Sequence, residues 1–220
     1  MADCLKWQIA GAVLTVWGLL STGCTLRNRQ TDDNLHVKTV LPAEAMALLR
    51  EGDIILRQGE GMLSRFIVRQ LGDTVDISHC GILVREKDGW QVIHCLSLEV
   101  SDTDGVQRCS LDDFMSDCVA GSLYVVRCMA DTLGCLVSRA RYYLGAHKTF
   151  DHGFSLNDTT SFFCSELPYR ILKDELHIEM SPPSVFLKFS SFFDPEHFRL
   201  VCRGVVSQQP NVEKSVQPLP

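Results

Sequence analysis

Two short, apolar, β-rich runs, residues 77–84 and 91–96, stand on either side of Asp88-Gly89. An Asp-Gly pair between strand-like runs is a strong local signal for a tight antiparallel hairpin, so the chain must build a sheet around it. With the turn centred near residues 88 and 89, position 84 pairs with 93 and position 83 with 94. His94 is then diagonal to His79 rather than opposite it. Further strand signals fall at 53–57, 123–128 and 198–202. Helix signals fall at 42–49, behind a first-turn proline, and at 61–71, where Met62, Phe66, Ile67 and Leu71 share one face. Two more helices are expected at 131–144 and 164–176, and Ser110-Leu111-Asp112-Asp113 reads as a capping box opening a short one. Helices and strands are partly segregated along the chain, which gives an α+β fold rather than an alternating α/β one. At 220 residues the chain suits one domain of ordinary size. A hydrophobic share of 45% and a charged share of 22% exclude wholesale disorder, and a net charge of −6 argues against nucleic acid as a partner.

The N-terminus reads as an address. Residues 9–20 form an uncharged apolar run behind Lys6, shorter than the roughly 20 residues a spanning helix needs, as in the apolar region of a signal peptide. Leu20-Ser21-Thr22-Gly23-Cys24 then resembles a bacterial lipobox, cut before a cysteine that becomes lipid-modified. Ser21 departs from the pattern, which usually has an aliphatic residue three places before the cut. The resemblance implies that acyl chains such as palmitate on Cys24 hold the protein to a membrane. Thr25, rather than Asp, after the cysteine implies the outer membrane, facing the periplasm. The expected organisation is a signal peptide at 1–23, a lipidated tether at 24–40, a catalytic domain at 41–204, and a disordered, proline-containing tail at 205–220.

The chemistry concentrates in three places. His79 begins the first hairpin run, within Ser78-His79-Cys80-Gly81-Ile82, and His94 sits in the second, within Val92-Ile93-His94-Cys95. Cys164, within Phe162-Phe163-Cys164-Ser165-Glu166-Leu167, opens a predicted helix, where unpaired N–H groups and the macrodipole favour a thiolate and could hold an oxyanion. Thiol hydrolysis needs a nucleophile, a base and a group that orients the base. Zinc is the competing use of histidines and cysteines, but there is no Cys-x-x-Cys, and His79-Cys80 and His94-Cys95 send successive side chains to opposite sheet faces. No metal or cofactor is expected.

Read in order, these segments resemble the permuted papain-fold amidases of the YiiX and YaeF type, circularly permuted relatives of NlpC-type hydrolases. The matching pieces are Gly52-Asp53-Ile54, Ser78-His79-Cys80-Gly81-Ile82, Val92-Ile93-His94 and Phe163-Cys164-Ser165-Glu166-Leu167. Asp104-Gly105-Val106 and Phe150-Asp151-His152-Gly153-Phe154 are further landmarks, and the likeness spans residues 41–202. It implies a papain-like fold, with a small antiparallel sheet or partial barrel packed against helices. It also implies a cysteine-type peptidase or amidase with Cys164 as nucleophile, His79 as base and His94 as the orienting residue. Glu99 and Asp76 are rivals for the third role. Arg57, Asp151 and Ser165 are candidate substrate contacts. Many relatives carry Glu where His94 stands, so the imidazolium of His79 would lack a fixed negative partner. Pro168, four residues into the predicted helix, would remove a helical bond and kink it. The expected substrate is a peptide, a peptidoglycan stem or an acyl amide. Acyl transfer, hydrolysis of a lipid ester or thioester, and binding without turnover are the alternatives. Of ten cysteines, Cys4 leaves with the signal peptide, and Cys80 and Cys95 are expected on the far face of the sheet from the histidines, as a disulfide or as two core thiols.

Overall fold

The computed structural model describes residues 36–180 and 187–209. The segment expected to be a signal peptide, Cys24 and residues 210–220 lie outside the described residues. The architecture is α+β. A six-stranded antiparallel sheet runs β5-β4-β3-β2-β6-β9, comprising β2 (Ile54–Gly59), β3 (His79–Glu86), β4 (Gly89–Leu96), β5 (Gly105–Ser110), β6 (Cys118–Cys128) and β9 (Phe198–Arg203). Its alternating side chains feed two cores. Ile54, Leu56, Cys80, Ile82, Ile93, Cys95 and Val126 pack on one face with helices α4 (Cys135–Gly145) and α5 (Glu166–Leu176). Ile55, Leu83, Val92, Leu123 and Val125 pack on the other with the short helices α1 (Ala43–Met46) and α3 (Leu111–Ser116). Helix α2 (Met62–Leu71) has no buried residue and packs half-buried Ile67 and Leu71 against the first of these cores. Among the described residues no helix is long and apolar enough to cross a membrane.

The hairpin forms where expected, but its register is two residues away from the one read from sequence. Glu86 pairs with Gly89, Val84 with Gln91 and Gly81 with His94. The loop is Lys87-Asp88, and Gly89, at φ 124°, is the first residue of the returning strand. His94 remains a diagonal neighbour of His79, two residues along the strand from its partner Gly81. A side chain at Gly81 would collide with Val92 and crowd His94, at 2.4 Å and 3.2 Å from an added Cβ.

Both outer boundaries of the domain need correction. Residues 36–40, assigned to the tether, form β1 (His36–Val40), and residues 205–209, assigned to a disordered tail, form β10 (Val205–Gln209). The two pair antiparallel over five residues, and the hydroxyl of Thr39 ties this ribbon to β6 by donating to the carbonyl of Val119. Backbone pairing supplies what the apolar pattern of these polar strands did not signal. Helix α4 also begins four residues later than expected, because the Asp131 carboxylate accepts the N–H groups of Cys135 and Leu136 and caps it there. The capping box at α3 forms as read, with Ser110 Oγ accepting from the Asp113 N–H at 3.0 Å.

Two short parallel strands, β7 (Thr149–Phe150) and β8 (Ser161–Phe162), lead from α4 to the segment before α5. They are locked to the sheet at Gly105, where the Val106 N–H donates to the Lys148 carbonyl at 2.8 Å. Gly105 has φ 89°, and an added Cβ would stand 2.0 Å from that carbonyl oxygen. Gly105→Ala is therefore expected to destabilise the protein by about 2–4 kcal/mol through a left-handed backbone and a backbone clash. Urea unfolding of the two forms measures it.

Candidate active site

Antiparallel pairing brings the end of β2, the start of β3 and the end of β4 to one end of the sheet. A cleft of about 440 Å³ opens there, lined by Arg57, Ser78, His79, Cys95, Glu99, Cys164 and Ser165. Its remaining wall is largely hydrocarbon, with Leu63, Phe66 and Ile67 from α2 facing Phe154, Phe163 and Phe189.

The two histidines meet. His79 Nε2 lies 2.9 Å from His94 Nδ1, and both side chains are buried. The diagonal offset across β3 and β4 is what lets the rings touch edge to face, 5.2 Å between centroids. The rivals for the third position lie elsewhere. Asp76 is exposed, and Glu99 turns to His152, 3.8 Å away. Burial is the main cause that lowers the basicity of both rings, followed by the nearby Arg57 cation. His94 falls to about 4, and His79 falls well below the ordinary value. Both rings are therefore neutral at pH 7, each with one N–H, and a single hydrogen occupies the contact between them. If His79 Nε2 donates to His94, His79 Nδ1 is a free lone pair and can act as a base. If His94 donates, that lone pair is lost. A carboxylate at position 94 could only accept and would fix the first arrangement. A histidine permits both, and His94 Nε2 is buried without a hydrogen-bond partner in either.

Cys164 stands two residues ahead of α5, not in its first turn as the sequence suggested. Ser165 is the N-cap and Glu166 the first helical residue. The thiol borders the cleft and donates weakly to the Ser78 carbonyl at 3.9 Å; among the described residues no hydrogen bond joins it to His79. The N–H groups of Ser165 and of Cys164 itself favour a thiolate, as does Arg57, but burial outweighs them and pushes the thiol up to about 11. Burial thus opposes the thiolate that the helix terminus was expected to favour.

The late helix start also removes the expected cost of Pro168. It is the third helical residue, in the first turn, and the bonds on either side of it are kept, from the Leu167 N–H to the Phe163 carbonyl at 3.2 Å and from the Tyr169 N–H to the Ser165 carbonyl at 3.4 Å. The Cys164 carbonyl, which a non-proline residue at 168 would engage, instead accepts the Cys80 thiol at 3.4 Å. Cys95 donates likewise to the Phe162 carbonyl at 2.9 Å. Cys80 and Cys95 are core thiols on the face opposite the histidines, and all eight described cysteines are free.

The other candidates divide. Arg57 and Ser165 line the cleft, each at most 8% exposed. Asp151 does not. Its two carboxylate oxygens accept the N–H groups of Gly153 and Ser155, which makes it the organiser of the 151–155 loop and not a substrate contact. Glu166, read as a first-turn charge suited to the dipole, is fully buried. It accepts from Arg170 Nε at 3.0 Å and from the Phe163 N–H at 3.4 Å. Arg170 in turn donates to the carbonyls of Leu156 and Asp158, the former contact being very short. This buried pair fastens the cysteine segment to the loop beside it. One neighbour of the histidines carried no sequence signal. Phe114, on α3, stacks on His79 with 5.5 Å between centroids and meets His94 at 5.8 Å. The capping box located its helix, but nothing in the sequence aims the ring.

The family described as permuted papain-like amidase enzymes, YaeF/YiiX, C92, matches residues 48–209. The chain belongs to this family. It is accordingly an enzyme, a cysteine-peptidase-type hydrolase acting on amide or peptide bonds. The solved structure described as metalloprotein YiiX from Escherichia coli O157:H7 is similar to it, with 20% identity and a TM-score of 0.54, covering 70% of this chain and 97% of that one. That likeness concerns the fold. No curated protein is significantly similar in sequence. In this amidase, Asp194, Glu196 and His197 bring ligand-type atoms within 4.8 Å of one another on the turn before β9, but none of them lines the cleft.

Burial pushes the Glu166 carboxyl up to about 7 even with Arg170 beside it. Arg170→Met would leave that carboxyl without its cation, and a raised native pKa destabilises the fold as pH climbs past the unfolded value near 4.3. The loss is expected to be small at pH 4.5 and to reach about 3 kcal/mol above pH 7. Thermal melts of the variant and the parent across that range check the slope.

Proposed function

We propose that this amidase is a lipid-anchored hydrolase of the cell envelope that cleaves its substrate through a thioacyl intermediate on Cys164. The observation that carries the reading is the 2.9 Å contact between His79 Nε2 and His94 Nδ1 at the cleft that Cys164 also lines. With Nε2 engaged, Nδ1 is the nitrogen left to serve the thiol. His79 takes the Cys164 proton as the sulfur attacks the carbonyl carbon, and His94 accepts the Nε2 hydrogen and steadies the ring. The oxyanion forms against the N–H groups of Cys164 and Ser165. Collapse of the intermediate breaks the C–N bond, and His79 returns its proton to the departing amine. Water, deprotonated by His79, then cleaves the thioester and releases the acid. Cys24, lipidated at the lipobox, would hold the domain at the outer membrane facing the periplasm, where peptides, peptidoglycan stems and acyl amides are all within reach.

The cleft wall favours the last of these. Leu63, Phe66, Ile67, Phe154, Phe163 and Phe189 offer a surface for a hydrocarbon acyl group and few partners for a charged stem peptide. The same residues would also serve an acyl ester or thioester, or transfer of the acyl group to another acceptor.

Cys164→Ala is expected to abolish hydrolysis of N-acyl p-nitroanilides, while iodoacetamide inactivates the parent by labelling the Cys164 peptide. Full activity of Cys164→Ala on every probe would remove the reading. His94→Phe is expected to lower kcat by about 10² or more with KM little changed. Across acetyl to decanoyl probes, kcat/KM should rise by up to about fourfold per buried CH₂. A flat series, with cleavage of stem peptides instead, would decide for the peptide substrate. Labelled palmitate should enter the parent and not Cys24→Ser.

A further inference from the structure

Phe114 and Arg57 enclose the histidine pair on the face away from the helix α5 core. Arg57 on β2 is directly opposite His79 on β3. Its guanidinium carbon lies over the Phe114 ring, 4.9 Å from the centroid. The same ring packs on the histidines, stacking on His79 at 29° between planes and meeting His94 at 72°. Phe114 is buried, as are both histidines and most of Arg57. The arginine is anchored from outside this stack. Its NH1 group donates to the Asp117 carboxylate at 2.7 Å and, more closely, to the Asp117 carbonyl, while its Nε is buried with no hydrogen-bond partner. Asp117 is itself 55% exposed, so water shares the field of its carboxylate and the arginine's charge is incompletely offset toward the interior.

We propose that Arg57 and Phe114 are positioning residues for the histidine pair. The ring holds His79 in the plane that leaves Nδ1 to the cleft, and the cation opposes a second positive charge on either imidazole, while burial keeps Cys164 a thiol that gives up its proton only as it attacks. The inference rests on the proposed roles of Cys164 and His79 and adds the mode of activation: a neutral acid and base at rest rather than a preformed thiolate and imidazolium.

The charged and titratable groups around the pair are few. Arg57 faces it from β2, Asp117 stands behind Arg57 after α3, and Cys164 faces it from the segment before α5. Glu99, beyond β4, is turned to His152. The directions agree with the geometry, since Arg57 is the foremost charge lowering the basicity of His79 and of His94. A cation on the strand position opposite an imidazole in a partly buried site is worth roughly one to two pH units, allowing for its exposed partner.

Nitrogen NMR of labelled histidine in the full chain tests this without a substrate. In the parent, the ring nitrogens of His79 and His94 should keep neutral shifts down to about pH 5. Arg57→Met, which keeps the length and loses the charge, should raise the titration midpoints by about one to two pH units. Asp117→Asn, which keeps the guanidinium and removes its counter-charge, should lower them, and it decides the matter if Arg57→Met does not fold. Phe114→Leu should leave the midpoints within about half a unit while changing the shift of His79 Nδ1, the mark of an altered tautomer mixture. Midpoints that stay put in Arg57→Met, or that rise in Asp117→Asn, would overturn the proposal. These readings do not depend on Cys164, so the hydrolytic assignment, tested by Cys164→Ala, can fail separately.

Discussion

The pairing of Gly81 with His94 across β3 and β4 is the constraint on which the rest of the cleft depends. Side chains alternate along a strand, so this register decides at once which groups meet on each face. On one face it sets His79 diagonal to His94 at hydrogen-bond distance. On the other it brings Cys80 and Cys95 beneath the segment that carries Cys164. A slip of one residue would send the histidines into the apolar core and the thiols toward Phe114. Glycine at 81 is part of the same constraint, because any Cβ there would stand against Val92 and His94.

The cysteine segment is held by groups that take no part in the proposed chemistry. Its carbonyls at 162 and 164 accept thiols from the sheet, its N–H at 163 reaches Glu166, and Glu166 is fixed by Arg170 to the loop carbonyls at 156 and 158. Each of these closes a backbone or side-chain polar group that burial would otherwise leave unpaired. The arrangement explains how a proline can sit at 168. The carbonyl it cannot engage already has a donor from β3, and the Leu167 and Tyr169 N–H groups on either side of it keep their own acceptors at Phe163 and Ser165.

The sequence carried the elements that local chemistry dictates. The Asp88-Gly89 turn, the Ser110 cap and the apolar strands all follow from neighbours within a few residues. The order of the Ser-His, Ile-His and Phe-Cys-Ser-Glu-Leu segments carried the family. What it did not carry depends on contacts distant in sequence. The two strands β1 and β10 are polar, stand 165 or more residues apart, and hold one another by backbone bonds that leave no trace in hydropathy. The true start of α5 depends on the sheet thiols that hold the carbonyls of the segment before it, and the Arg57–Phe114 stack depends on α3 folding over the face opposite the helix α5 core. Asp151 shows the converse error. An acidic residue in a family landmark looked like a substrate contact, whereas the loop it sits in needed both of its oxygens.

Replacing a carboxylate by His94 changes more than the charge beside the proposed base. A carboxylate next to His79 would hold its proton on Nε2 and favour the imidazolium. His94 is neutral and can donate as well as accept, and Arg57 lies close enough to oppose protonation of either ring. The cleft is also apolar and the thiol desolvated, which opposes a resting thiolate. The neutral His94 and the apolar wall disfavour separated charge in the site, and Arg57 disfavours the imidazolium half of it. Charge would then develop only when a substrate carbonyl presents an oxygen to the N–H groups of Cys164 and Ser165. An apolar acyl group filling the wall between α2 and Phe189 would exclude the water that otherwise screens that oxygen. On the proposed mechanism, occupancy of the hydrocarbon wall and activation of the thiol would be linked, and the apolar lining would be a part of the chemistry as well as of the fit.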